Sequence, residues 1–312
     1  MEHVAALTAE LLETDRTAGA RRAAPAALRA VATAVRPHRG RAGAVAEASG
    51  ADAGAVTDAA GAGAGERSAL MELFQVAAWI LFDAERHGTS RRCSRRALAL
   101  ARTLPRESRS VEPLVLSVLC LQEDHLGRPA ASLRISSSVL AGRELPTRVA
   151  AIFHVREARA RARLRQRRRA LRSLSAAREL LADGPSAGDP SWTWWFDRSE
   201  LDGHHGLALA DLGDLDGAAA LLYEATAADG APAYRSLFPA ELASVLARAG
   251  AWRETDAWLS DLVDRVPDVG SVRALNALAR TTRTIGSGPR IPRALRHTTA
   301  DLTQALRRET AP

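Results

Sequence analysis

Residues 212–225 form the stretch LGDLDGAAALLYEA, which gives the clearest indication of how this chain folds. A Leu-Gly turn stands at its start, and small residues follow at Ala218 and Ala225, five and twelve positions beyond Gly213. Two antiparallel helices can cross closely only where their facing side chains are small. The stretch therefore predicts a turn followed by a helix that packs against the helix before the turn.

The same turn recurs along the chain at intervals of 39, 38, 48, 37 and 36 residues. The turns are His87-Gly88, Leu126-Gly127, Leu164-Arg165, Leu212-Gly213, Ala249-Gly250 and Ile285-Gly286. Small residues keep phase with them, seven positions before (Cys120, Ala158, Gly206, Ala243, Ala279) or five after (Cys93, Ser132, Ala170, Ala218, Thr255). The longest interval contains a Gly/Pro-rich insertion near residues 184–196. The pattern predicts a solenoid of antiparallel helix pairs over residues 66–312.

Composition supports an all-α fold. Ala, Leu, Arg and Glu favour helices, whereas aromatic residues, which favour strands, make up 4% of the chain. All 43 basic residues are Arg, so the chain has no Lys for a phosphate-binding loop, a Schiff base or a kinase-type site. No nucleophile, base and orienting group can be assembled from the sequence either. We therefore expect no enzymatic activity and no cofactor.

Two cysteines, Cys93 and Cys120, are too few for a disulfide framework in 312 residues, which favours a reducing cytoplasm. The N-terminus is acidic where a secretory signal would be basic. No run approaches the roughly 20 apolar residues that a membrane span needs. The sequence thus predicts a cytoplasmic protein that does not bind membranes.

The region before the repeats divides into two parts. Residues 1–37 predict two helices, over 2–16 and 25–36, with Pro25 in the first turn of the second. Residues 38–65 contain Ala or Gly at 18 of 28 positions, which is typical of a linker or a weak helix.

The turn pattern resembles the tetratricopeptide repeat, in which a Leu-Gly turn is flanked by small residues at these offsets. The period is slightly longer than the usual 34 residues of that family. Four segments together resemble the repeat region of actinobacterial, streptomycete-type helix-turn-helix transcriptional regulators. They are MEHVAALTAELLETD (1–15), HVREARARARL (154–164), SWTWWFDRSELDGHHGLALADLGD (191–214) and AGAWRETDAWL (249–259).

The resemblance implies a regulatory binding module that senses a peptide, a small molecule or a protein and modulates transcription. In such regulators a DNA-binding domain usually precedes the repeats, and this chain begins where the repeat region begins. We therefore expect no sequence-specific DNA binding by this chain alone. The alternative is a general protein–protein interaction scaffold without a transcriptional role, and a homodimer is possible in either case.

The first helix of each repeat should line the concave face of the solenoid. In this register those helices are 146–163, 197–211 and 235–248. We expect an exposed groove that binds the partner and in which Ala at Arg156 or Glu200 weakens binding without unfolding the protein. The groove residues are Arg156, Trp195, Asp197, Glu200, His204, Tyr234 and Arg235.

The Trp-rich segment 191–206 allows a purely structural interpretation as well. Trp194 or Trp195 would then hold the insertion against the repeats, because a buried Trp usually serves packing. Glu200 and His204 share a helix face, but two ligands without a third do not make a metal site. We therefore predict no metal ion there.

The densest charge lies in residues 156–179, which contain ten Arg and two Glu. In one continuous helix, four of the Arg would form a basic stripe, although the turn near Arg165 would interrupt it. The segment is open to three interpretations: a solvated surface, a site for an acidic protein, or a nonspecific nucleic-acid contact. The stripe residues are Arg161, Arg165, Arg168 and Arg172.

Overall fold

Helix-forming residues dominate the sequence, and the computed structural model shows a helical chain. It describes residues 2–35, 63–142, 144–227, 231–288 and 291–310. Within these ranges the chain forms fourteen α-helices and no β-strand, which confirms the all-helical prediction. The helices are α1 (Glu2–Ala18), α2 (Ala20–Val35), α3 (Ala64–Asp83), α4 (His87–Arg102), α5 (Glu112–His125), α6 (Pro129–Gly142), α7 (Thr147–Arg163), α8 (Arg167–Ala182), α9 (Arg198–Leu212), α10 (Leu215–Thr226), α11 (Leu237–Ala249), α12 (Trp252–Val263), α13 (Val272–Gly286) and α14 (Arg293–Thr310).

Most of the predicted linker, 38–65, lies outside the described residues; its last residues, 63–65, lead into α3. None of the described helices combines the length and the apolar character that a bilayer crossing requires.

From α3 onward, neighbouring helices pack in pairs, and in five of these pairs the connecting turn contains a residue with left-handed backbone. Glycine adopts this conformation without steric cost, and it does so at Gly127, Gly213 and Gly250. The other two turns place Glu85 (φ 60°) and Arg165 (φ 59°) there. The predicted first turn at His87-Gly88 is therefore wrong by three positions, because α4 has already begun at His87.

Small residues meet at each crossing once the first turn is placed at Glu85. Ser90, rather than the predicted Cys93, then takes the position after the first turn, and its hydroxyl donates to the carbonyl of Ala78 at 2.7 Å. All ten side chains or glycines at these crossings are buried. The facing residues are Ala78/Ser90, Cys120/Ser132, Ala158/Ala170, Gly206/Ala218 and Ala243/Thr255. The offsets predicted from residues 212–225 thus describe the five helix pairs from α3 to α12. The predicted sixth turn, Ile285-Gly286, is wrong, because α13 continues to Gly286 and no described residue between α13 and α14 has left-handed backbone.

The two N-terminal helices, named here the N-terminal hairpin (α1 and α2), pack on the first pair. Leu11 and Ala27 lie in the same hydrophobic cluster as Met71 and Phe74 of α3. Pro25 lies inside α2 and not in its first turn as predicted, because the helix already begins at Ala20. The predicted boundary after residue 37 therefore separates segments that share one core.

The last pair returns to the first and to the hairpin. The buried carboxylate of Asp83, at the end of α3, accepts hydrogen bonds from Ser271 Oγ (2.9 Å) and Arg273 Nε (2.7 Å), just before and within α13. Beside it, the backbone N–H of Arg21 donates to the carbonyl of Gly270 at 2.9 Å. The side chain of Arg21 pairs with Glu309 of α14 at 2.8 Å. We call these contacts the closure contact, since they join the two ends of the stack.

The insertion is held against the stack by Trp192 and Phe196. The indole N–H of Trp192 donates to the carbonyl of Ser110 at 2.9 Å, and Phe196 is fully buried. Trp195 packs beside Phe196, with ring centroids 5.6 Å apart. Trp194 is 59% exposed, so the prediction that it could anchor the insertion is wrong.

The helix crossings predict the effect of adding a single methyl group. A Cβ at Gly206 would lie 2.9 Å from Leu222 Cγ and 3.0 Å from the carbonyl oxygen of Ala218. We expect Gly206→Ala to lower the free energy of unfolding by about 1–3 kcal/mol, as overpacking does. Gly88→Ala is the matched control, because its nearest neighbour would be Arg92 at an ordinary 3.7 Å. Urea unfolding of both variants checks this; equal stability would contradict the close crossing.

Candidate functional site

The predicted groove residues converge where the first helices of successive pairs meet. The central polar cluster, as defined here, joins α5, α7, α9 and the 3-10 turn before α11. Its members are Ser117, Arg156, Asp197, Glu200, His204, Tyr234 and Arg235. The predicted inner helices agree closely with α7, α9 and α11, although Tyr234 and Arg235 precede α11 in the 3-10 turn. Ser117, on α5, was not among the predicted residues.

Glu200 lies at the centre of the cluster. Its Oε1 is 3.2 Å from His204 Nε2, and its Oε2 accepts hydrogen bonds from Arg235 Nε (3.2 Å) and the Tyr234 hydroxyl (3.3 Å). Burial raises the pKa of this carboxyl, but the hydrogen bond with His204 and the nearby guanidinium charges outweigh burial and leave the pKa below its usual value. Glu200 is therefore a buried anion at neutral pH.

Asp197 fixes the start of α9 and one side of the cluster. Its Oδ1 accepts from the backbone N–H of Glu200 at 2.9 Å, which is an N-cap. Its Oδ2 lies 2.8 Å from the guanidinium of Arg235. That guanidinium also donates to the backbone carbonyl of Trp195 at 2.9 Å. Trp195 thus contributes its main chain to the cluster.

One ring nitrogen of His204 lies close both to a hydrogen-bond donor and to a hydrogen-bond acceptor. Its Nε2 lies 3.1 Å from Arg156 Nη1, a donor, and 3.2 Å from Glu200 Oε1, an acceptor. Burial lowers the pKa of His204 to about 4, against the opposing hydrogen bond of Glu200, so the ring is neutral at pH 7. A neutral imidazole can satisfy only one of these partners through Nε2 at a time. Its Nδ1 is buried without a hydrogen-bond partner among the described residues.

The structure contradicts the expectation of an exposed groove. Arg156 is 3% exposed and Glu200 is 4% exposed, and His204 and Arg235 are buried as well. Closure of the stack contributes to this burial, since Trp79 of α3 lies edge-on against Tyr234 in the 3-10 turn before α11, with 5.3 Å between ring centroids. Partner binding by these residues stays a prediction, but it requires that the stack opens.

A second buried carboxyl supports this closed arrangement from the N-terminal hairpin. Asp15 of α1 accepts a hydrogen bond from the indole N–H of Trp79 at 2.9 Å. Burial and the charge of Asp83 raise the pKa of Asp15 to about 7. The hairpin is therefore docked through a carboxyl that is partly protonated at neutral pH.

The basic segment 156–179 is divided between two helices, so its stripe is broken. Arg161 pairs with Glu157 on α7 at 2.7 Å, and Arg165, in the turn, donates to the carbonyl of Asp211. The exposed side chains of Arg168 and Arg172 follow on α8. Much of the remaining charge is internal, because Arg159 and Arg163 lie within 3.6 Å of Asp124 and Asp211 on the flanking helices.

An open depression of about 280 Å³ borders this segment. Glu157 occupies it, accepting hydrogen bonds from Ser137 (2.9 Å) and Ser173 (2.8 Å) as well as from Arg161. These bonds, against the opposing effect of burial, lower the pKa of Glu157. The depression therefore combines an internally paired anion with the side chains of Arg161, Arg169 and Arg172.

No family model, curated protein sequence or solved structure matches this chain. The function must be inferred from the geometry of the chain itself, together with the pattern of its turns.

A third group of side chains, Glu85, His87 and His125, was not among the predicted site residues. The carboxylate oxygens of Glu85 lie 3.2 Å from His87 Nε2 and 3.1 Å from His125 Nε2. Thirty-eight residues separate the two histidines in sequence, so no local motif marks them. The corrected register would have brought them together, because His87 follows one turn by two residues and His125 precedes the next turn by two.

The central polar cluster predicts how the protein responds to loss of its anion. Glu200→Ala removes the buried anion whose charge favours Arg156 and one of the two carboxylates that pair with Arg235, which keeps Asp197. We therefore expect a loss of about 3–5 kcal/mol in the free energy of unfolding. The control is Arg16→Ala, which breaks an exposed 2.7 Å pair with Glu13. Such pairs are worth about 0–1 kcal/mol. Chemical unfolding separates the cases, and a mild effect at Glu200 would indicate an open groove.

The two shifted groups predict opposite dependences of stability on pH. His204 takes up a proton near pH 6.5 when unfolded and near 4 when folded, so its contribution to stability falls as the pH drops through that window. Asp15 releases its proton near pH 4 when unfolded and near 7 when folded, so its contribution falls as the pH rises.

We therefore expect His204→Gln and Asp15→Asn to change the pH profile in opposite directions. The slope of the free energy of unfolding against pH, between pH 4 and 7, is compared with that of the wild type. His204→Gln should make this slope more negative, and Asp15→Asn should make it more positive. The slope for a single proton is at most about 1.4 kcal/mol per pH unit. Thermal melts over this range provide the measurement, and parallel profiles for the two variants would exclude the assignment.

Proposed function

We propose that this chain is a regulatory binding module of the tetratricopeptide type, held closed by its own N-terminal hairpin. The observation that carries the proposal is the closure of a repeat stack over buried charged residues. It is a binding protein in this proposal, located in the cytoplasm, and no catalytic role is assigned to it.

The repeat type is supported by the crossings. Small residues face each other at the same offsets from five successive turns, and three of those turns use a left-handed glycine. These are the offsets that the tetratricopeptide pattern requires. In such a stack the first helices line the inner surface, which is where this proposal places the central polar cluster.

The binding role is supported by polar atoms that the closed form leaves without partners. Asp15 Oδ1, Asp83 Oδ2 and His204 Nδ1 are buried and have no hydrogen-bond partner among the described residues. A buried polar atom without a partner costs roughly 1–3 kcal/mol. These unsatisfied atoms lower the stability of the closed form. A ligand that supplies hydrogen-bond partners for them, or that binds the opened surface, therefore has less free energy to overcome. In this proposal the ligand is a peptide, a polar small molecule or a protein segment.

The regulatory role follows from the way the hairpin is attached. At the corner between α1 and α2, Gly19 lies directly on Gly270, and a Cβ on Gly19 would be 2.4 Å from the Cα of Gly270. The hairpin thus joins α3 to the segment before α13 through backbone contacts. Release of the hairpin together with the closure contact would open the inner surface, so a partner that prefers the open form shifts the protein between two states.

The proposed role in transcription rests on the resemblance of the sequence to the repeat regions of actinobacterial regulators. The scaffold alternative shares the fold and differs in outcome. A regulator acts on transcripts, whereas a scaffold acts only on the assembly of its partners.

The proposal predicts that weakening the contact between the hairpin and Gly270 increases the solvent exposure of the inner helices and changes the regulation of transcripts. Gly19→Ala places a side chain against Gly270 and strains a backbone at φ 78°. We expect faster hydrogen exchange in α1, α2 and the inner helices. In the encoding organism, deletion of the gene should alter the levels of a defined set of transcripts. The wild-type gene should restore those levels, whereas the Gly19→Ala gene should give levels that differ from the wild type.

Gly184→Ala is the matched control, because Gly184 has φ 77° but nothing within 4 Å of its Cβ position. It should leave exchange and transcripts unchanged. Unaltered exchange in Gly19→Ala would refute the closure as a regulated contact. An unaltered transcript profile in the deletion strain would remove the transcriptional role and favour the scaffold.

A further inference from the structure

We propose that Glu85, His87 and His125 form a binding site for a divalent transition-metal ion, with zinc as the preferred ion. This trio is separate from the central polar cluster. It lies at the edge of the stack where the α3–α4 turn meets the end of α5.

The spacing of the ligand atoms fits the ion. One carboxylate oxygen and one ring nitrogen from each histidine lie within 4.8 Å of one another. His87 Nε2 lies 3.2 Å from Oε2 of Glu85, and His125 Nε2 lies 3.1 Å from Oε1. Ligands at zinc–nitrogen and zinc–oxygen distances of 2.0–2.2 Å in a tetrahedron are separated by about 3.4 Å. The side chains therefore need only small adjustments to surround an ion.

The chemistry of the ligands favours zinc among common ions. Two imidazoles and one carboxylate are a frequent zinc set, which leaves a fourth position for water or another ligand. Calcium and magnesium prefer oxygen ligands. The three side chains are between 21% and 26% exposed, so an ion can reach them from solvent.

Each ligand is placed by a rigid element. Glu85 sits in the turn, His87 begins α4 and His125 ends α5. The side-chain amide of Gln122 donates to the carbonyl of His87 at 3.1 Å and ties α5 to the turn. Phe82 packs against both imidazoles, with ring centroids 5.8 Å from His87 and 5.6 Å from His125.

The backbone at Glu85 supports a requirement for this side chain. The equivalent position is glycine in three other turns, where the left-handed conformation carries no steric cost. A non-glycine residue there carries a steric cost that glycine avoids. The conformation places a carboxylate between two histidines from different helix pairs, which is the arrangement that a metal ion stabilises.

The test uses the full chain without a histidine tag, freed of metal by a chelator and titrated with zinc by calorimetry. We expect one ion per chain. Glu85→Gly should weaken zinc binding at least about tenfold, since even changes beside metal ligands cost roughly 10–100-fold. Gly fits the backbone at this position, so the variant should fold. The matched control is Arg165→Gly, the same change at the equivalent turn, which should bind zinc like the wild type.

Two further variants address the histidines. His87→Gln and His125→Gln should each weaken zinc binding, whereas His297→Gln, at an exposed position on α14, should not. Far-UV circular dichroism confirms that each variant is folded. The proposal is overturned if the wild type takes up no zinc, or if Glu85→Gly binds it as tightly as Arg165→Gly does. A trio held only by hydrogen bonds would give the first of these results.

Discussion

The close crossing of two helices at a pair of small residues is the constraint from which the rest of this structure follows. At such a crossing the backbones approach until a single methyl group matters, as at Gly206, where a Cβ would lie 3.0 Å from a carbonyl oxygen. Because the crossing sits at fixed offsets from the turn, the same arrangement recurs in five helix pairs, and each of their turns contains a left-handed residue. The first helices of the pairs then become neighbours, and their polar side chains point to a common centre. The Glu85–His87–His125 trio and the central polar cluster are two consequences of the same offsets.

The centre itself shows how arginine serves as the sole cationic residue in a buried network. A guanidinium keeps its charge when it is buried and offers several donors in one plane. Arg235 uses them on Asp197, Glu200 and the main chain of Trp195 at once. Even so, burial lowers the pKa of Arg156 to about 10, which shows that its environment compensates the charge incompletely. A buried network of this kind is weak evidence for stability, because desolvation offsets much of the attraction between the charges. What it provides here is a defined position for each inner helix.

The sequence was sufficient for the helical class, for five of the helix pairs and for the residues of the central polar cluster other than Ser117, since all of these depend on offsets within one repeat. It failed where the answer depends on contacts between distant repeats. The exposure of Arg156 and Glu200 was predicted wrongly because the return of α13 to Asp83 has no periodic signal. The first turn was misplaced because Gly88 resembles a turn residue, whereas the left-handed position is occupied by Glu85, a residue that ordinarily avoids it. That one error also concealed the two histidines. The roles of Trp192 and Trp194 depend on a loop, for which spacing gives no information.

The closure contact changes how the stability of a repeat protein should be counted. In an open array each unit touches two neighbours, the terminal units touch one, and unfolding can begin by fraying from either end. Here Asp83 and Ser271 are separated by 188 positions in sequence and share a hydrogen bond, so the array has no free end at that seam. The first and last units are therefore neighbours too, as in a ring. Detaching any single unit breaks two interfaces. The cooperativity of unfolding, which a linear array loses with length, is thereby retained. Weakening one interface destabilises the units on both sides of it.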